Sequence, residues 1–63
     1  VQLGDTAVSI LNLQAEGMSR QQIADHMSMT VANVKYHLTQ AYRKLGVTDK
    51  AGAVREATSR GIL

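Results

Sequence analysis

From Val31 to Leu45 the apolar residues Val31, Val34, Leu38, Ala41, Tyr42 and Leu45 recur at helical spacing. At about 100° per residue they fall on one stripe, the strongest periodicity in the chain. Thr30 stands where a cap for this helix belongs, and Gly46 where it should end, with Val47 folding back in a Schellman-type contact. Ahead of it, Ile23, Ala24 and Met27 share one face of a shorter helix over 20–27. Ser19-Arg20-Gln21-Gln22 opens that helix with the form of a capping box. Barely two turns long, it is too short to be stable alone and must lean on its neighbours. A first helix over 5–16 carries Val8, Ile10, Leu11 and Ala15 on a wide arc that Gln14 interrupts, with Gly17 closing it. A last helix over 49–60, capped by Thr48 or Asp49, ends at Gly61 with Ile62 and Leu63 folding back. No strand alternation, repeat, low-complexity run or linker occurs, so residues 1–63 read as one compact all-α, four-helix domain.

The two middle helices have the form of a helix-turn-helix. Two helices joined by a turn of three or four residues approach closely only where the first presents a small side chain, and Ala24 sits where that contact falls. Ile23, Met27, Met29 and Val34 supply apolar contacts around the turn, and Met18 joins Met27 and Met29 as a flexible filler there. Many such units place Gly in the turn, where this chain has Ser28. Any helical hairpin could share this pattern, so the function rests on the other face of the third helix.

Composition narrows the classes. In 63 residues with 44% hydrophobic content, two Tyr and neither Phe nor Trp, the core must be aliphatic, with Ala and Met. A chain of this size buries only about 60% of its unfolded surface, so that core is thin. There is no Cys, and His26 and His37 stand without a carboxylate at metal-ligand spacing, which predicts neither metal nor cofactor. No nucleophile with an adjacent base, Gly-rich phosphate loop or pocket-forming carboxylate pair appears, so an enzyme is not expected. No apolar run approaches the roughly 20 residues of a membrane span, and these residues carry no n-region with an apolar h-region. With Val1 at its start, the chain is expected to be the C-terminal part of a longer cytoplasmic protein.

The net charge of +2 is modest, but its distribution is not uniform: no acidic residue falls between Asp25 and Asp49, whereas His26, Lys35, His37, Arg43 and Lys44 all do. A helical face of one sign is the electrostatic footprint that a phosphate backbone requires. The outward residues of the third helix are Asn33, Lys35, Tyr36, Thr39, Gln40, Arg43 and Lys44. Residues in the N-terminal half of such a helix enter the major groove deepest. Lys35, Tyr36 and Thr39 share a face across one turn and are the candidates to read base edges, while Asn33, Gln40, Arg43 and Lys44 flank them toward the backbone. His37 is suited to backbone contact or packing, and Tyr42, on the apolar stripe, to the core with its hydroxyl at the rim. Arg20, at the start of the second helix, is placed to reach a phosphate. The alternative of another class is a helical protein-interaction or dimerisation module that keeps the fold without specific DNA binding.

At Val34-Lys35-Tyr36-His37-Leu38, Tyr42-Arg43-Lys44-Leu45-Gly46-Val47, Ala53-Val54 and Gly61-Ile62-Leu63 the chain resembles the LuxR-type (GerE-type) DNA-binding domain of bacterial transcription regulators. That family shows a Thr-Val-Lys-x-His recognition helix, a Lys-Leu-Gly-Val exit and an Ala-Val pair in its last helix, in this order and spacing. The resemblance implies sequence-specific binding of double-stranded DNA with the third helix in the major groove. It assigns base contacts to Lys35, Tyr36 and Thr39, and backbone contacts to Thr30, Asn33, Val34 and Lys44. It also implies a homodimer on DNA through the fourth helix, whose exposed side is expected around Ala51, Val54 and Thr58. The sequence departs from the family at its first helix, where Gly4, Thr6 and Ala7 replace a Thr and an Arg-Glu pair. It departs again at Asn33, where Thr is usual, and these changes bear on which operator is read.

Overall fold

Three of the four helices begin where a side chain satisfies their first backbone donors. The computed structural model describes residues 3–63, and Val1 and Gln2 of the expected domain lie outside the described residues. The elements are α1 (Asp5–Ala15), α2 (Arg20–Met27), α3 (Val31–Leu45) and α4 (Lys50–Ser59). At the start of α2, Ser19 Oγ accepts from Gln22 N–H at 3.2 Å while Gln22 Oε1 accepts from Ser19 N–H at 2.9 Å, so the capping box is formed. Thr30 Oγ1 accepts from Asn33 N–H at 3.1 Å and starts α3. Asp49 rather than Thr48 caps α4, its Oδ1 accepting from Gly52 N–H at 2.7 Å. Each such cap is worth about 1 kcal/mol. A Cβ added at Gly52 would lie 2.9 Å from that same Oδ1 and 3.4 Å from Val47 Cβ, so a side chain there would push against the cap. Gly4 precedes α1 without any side-chain cap.

All four helices end in the same way. The amides of Met18, Met29, Val47 and Ile62 bond back to the carbonyls of Leu13, Ala24, Tyr42 and Ala57 at 3.2, 2.8, 3.0 and 2.8 Å. The residue before each amide has a positive φ: 95° at Gly17, 56° at Ser28, 72° at Gly46 and 74° at Gly61. This is the Schellman geometry, and the apolar residue that follows the left-handed position folds onto the body in every case. Three of the four positions are Gly, which has no Cβ to collide with the following carbonyl. Ser28 adopts the conformation with a Cβ, at a cost of roughly 1–2 kcal/mol against the right-handed form.

The core consists of Ile10 and Leu11 from α1, Ile23 and Ala24 from α2, Val34, Leu38, Ala41 and Leu45 from α3, and Ala53 and Ala57 from α4. Met18, Met27 and Met29 fill in around it. α1 and α3 each touch all three other helices, whereas α2 and α4 do not touch one another. The recognition candidate is therefore a central strut whose inner stripe is gripped from three sides.

One polar residue enters this core, and it corrects the expected α1 arc. Gln14 is buried rather than an interruption at the surface, and Ala15, expected inside, is exposed. The reason is a partner on α3: Tyr42 Oη donates to Gln14 Oε1 at 3.0 Å. A buried amide oxygen without a donor would cost roughly 1–3 kcal/mol, and the phenol removes that penalty while keeping its ring on the apolar stripe.

Candidate nucleic-acid interface

The inner and outer faces of α3 separate except at its first residue, where Val31, expected on the apolar stripe, is 37% exposed. Val34, Leu38, Ala41 and Leu45 are buried, while Ala32, Asn33, Lys35, Tyr36, Thr39, Arg43 and Lys44 are exposed. Tyr36 is 60% exposed, the most open large hydrophobic side chain on the helix. His37 and Gln40 are half-buried on the flank, and the His37 ring meets Tyr36 edge-on with centroids 5.6 Å apart. Lys35, Tyr36 and Thr39 thus share an open surface, as their spacing predicts. Thr39 adds a local bond, its hydroxyl donating to the Lys35 carbonyl one turn earlier at 2.9 Å.

The electrostatics of this face are uncompensated. Among the described residues, the ion pair present is Arg60 Nε to Glu56 Oε1 at 3.0 Å, on α4, and Lys35, Arg43, Lys44 and Arg20 form none. Arg43 and Lys44 sit in the last turn of α3, where they complement the negative end of the helix dipole. The first turn of α3 holds no acid, so the positive end of its dipole is not cancelled by a carboxylate. Thr30, Asn33 and exposed Arg20 lie at helix starts, where amides and cations favour an anion.

Val34 is a correction. Its side chain is 0% exposed and its amide bonds to the Thr30 carbonyl at 3.1 Å, so neither group is offered to a phosphate. Its place is the core. His37, Gln40 and Lys44 line a groove of about 380 Å³ against Asp5, Thr6 and Ala7 at the start of α1. This groove lies where the sequence departs from the expected opening of the first helix, and Asp5 is the one acidic residue among those that line it. On α4, Gly52, Ala53 and Ala57 turn inward, Ala51 and Thr58 are exposed, and Val54 is half-buried. Ala51 and Thr58 thus point away from the core, with Val54 at its edge.

Ala32 belongs to the outer surface as well, though no polar group draws attention to it. On a wheel of about 100° per residue it stands about 60° from Lys35, between Thr39 and Tyr36. Spacing alone identifies it once apolar contacts to the groove are admitted beside hydrogen bonds. Neither the Gln14–Tyr42 bond nor the Thr39 back-bond has such a signal, because both depend on side-chain rotamers or on the rotation of one helix against another.

The chain is similar to known proteins along most of its length. Residues 1–57 match the family model described as bacterial regulatory proteins, luxR family. The HTH-type transcriptional regulator AlkS of Alcanivorax borkumensis is 38% identical over 56 residues, 89% of this chain and 6% of that protein. A Mycobacterium tuberculosis protein described as "Probable transcriptional regulatory protein NarL" is 41% identical over 54 residues, 86% of this chain and 25% of that one. Among solved structures, the response regulator ChrA of a heme-sensing two-component system superposes with a TM-score of 0.96 at 30% identity. That superposition covers all of this chain and 31% of ChrA. The chain therefore spans less than a third of each of these relatives, and its four helices are the shared part. With the family model matched over residues 1–57 and the four-helix fold shared with ChrA, the chain belongs to the LuxR family of bacterial regulatory proteins.

Proposed function

We propose that the chain is the DNA-binding output domain of a longer bacterial transcription regulator, acting in the cytoplasm as one half of a homodimer on DNA. α3 lies in the major groove with Lys35, Tyr36 and Thr39 toward the bases. Thr30, Asn33, Gln40, Arg43, Lys44 and Arg20 hold the phosphates, with His37 at the flank. The observation that carries this reading is the outer face of α3: exposed, cationic, free of acid, and presented by a helix that is held on its opposite face by buried Val34, Leu38, Ala41 and Leu45. An ordinary solvated helix mixes charges of both signs. Ala51, Val54 and Thr58 on the free side of α4 supply the surface through which two copies pair on a two-fold site.

Selection of bound sequences from a random duplex pool tests both parts. The expected outcome is one preferred site with two-fold symmetry, bound far more tightly than random duplex. With six to ten phosphate contacts in the pair, affinity should fall roughly 10³- to 10⁵-fold between about 50 and 200 mM salt. Enrichment of no sequence, with a flat salt response, contradicts the reading and favours a protein-interaction module. A selected site without symmetry, bound one copy at a time, leaves DNA reading intact and overturns the α4 pairing.

A further inference from the structure

The geometry points to Thr39 as a reader of the thymine 5-methyl group, through its own methyl rather than its hydroxyl. This rests on the proposed docking of α3 in the major groove and specifies what one of its side chains recognises there. The Thr39 hydroxyl donates to the Lys35 carbonyl at 2.9 Å, within the same helix. A hydroxyl has one proton, and here it is already engaged. None remains for the acceptors that guanine, adenine N7 and thymine O4 present in the major groove. Threonine can hold this rotamer in a helix because its oxygen reaches the carbonyl one turn back. With Oγ1 turned along the helix and its lone pairs left able only to accept, the γ-methyl is the branch without a partner, on a residue that is exposed between Lys35 and Arg43. A threonine methyl fits the one apolar feature of the major groove, the C5-methyl of thymine.

Lys35 and Tyr36 are not interchangeable with it. Lys35 carries only donors and Tyr36 a free phenol, so both suit polar base edges. Thr39 adds a contact that depends on neither charge nor hydrogen bonding, and it should be insensitive to salt where the Lys35 contact is not.

The test uses the site selected from the random pool, with each thymine replaced in turn by uracil, which removes the 5-methyl and leaves every hydrogen-bonding group. Wild-type protein should lose about four-fold in affinity at one position per half-site, the weight of one buried methyl. Thr39→Val, which keeps a methyl and drops the hydroxyl, should retain that discrimination. Thr39→Ser, which keeps the back-bonding hydroxyl and drops the methyl, should bind the thymine and uracil duplexes equally there. Where cytosine replaces that thymine, 5-methylcytosine should recover part of the loss. Discrimination that survives in Thr39→Ser, or disappears in Thr39→Val, overturns the inference, as does wild-type indifference to uracil at every position. Those outcomes leave DNA binding standing, whereas failure to select any duplex removes both together.

Discussion

The two faces of α3 are built from different materials. Toward the body lie Val34, Leu38, Ala41 and Leu45, all buried and without a polar atom beyond the backbone; away from it lie Lys35, Tyr36, Thr39, Arg43 and Lys44, all exposed. The inner face couples α3 to every other helix, so its substitutions act on the whole domain. The outer face is exposed, with Tyr36 and Lys44 also lining the groove beside α1, so its substitutions act on a partner. One helix therefore divides stability from recognition by about half a turn, and the division can be tested residue by residue.

The largest effect is expected from the inner face. Leu38→Ala should destabilise the domain by about 2–5 kcal/mol, enough to abolish a cooperative thermal transition in a chain of this size. Circular dichroism through a melt checks this, and a transition unmoved from wild type would mean that the stripe is not the strut described. Next is the polar link across the core. Tyr42→Phe leaves the buried Gln14 oxygen without its donor and should cost about 1–3 kcal/mol, whereas Tyr42→Phe with Gln14→Leu should recover most of it. A double-mutant cycle by denaturant unfolding reads the coupling, and simple additivity would show that the two groups do not depend on each other.

On the outer face, Lys44→Ala should leave stability within about 0.5 kcal/mol while weakening binding to all duplexes alike. The slope of log affinity against log salt should become shallower by about one for that lost phosphate contact. A loss confined to one sequence would move Lys44 from the backbone to the bases. The smallest effect belongs to the turn between α2 and α3: Ser28→Gly relieves the left-handed strain but loosens the unfolded chain, for a net gain of about 0.5–1 kcal/mol. A lowered melting temperature would show that the Ser28 side chain contributes something the backbone geometry does not.

Most of the fold is legible in the sequence because its local signals agree with one another. Ser19 and Gln22, Thr30, Gly17, Gly46 and Gly61 mark ends by chemistry that acts within a few residues, and the structure places helix ends there. The α3 stripe is visible because burial from three sides demands strict periodicity. Gln14 is not legible in the same way: a polar residue on an apolar arc reads as a break unless its distant partner is known, and Tyr42 lies 28 residues away. Val34 shows the opposite case: family resemblance assigns it a DNA backbone contact, whereas its periodicity and its burial place its side chain in the core. For the interface, spacing identifies which residues share a face, and only the rotamer shows which atom of Thr39 is free.

The central claim is that the outer face of α3 reads sequence and not merely charge. Paired binding measurements on the selected site and on a shuffled duplex of equal length, with wild type and Lys35→Ala at one salt concentration, test it most directly. Loss of about 1–3 kcal/mol on the selected site, with the shuffled duplex much less affected, is the result predicted for a base contact. Equal loss on both duplexes would contradict it and reduce α3 to an electrostatic anchor.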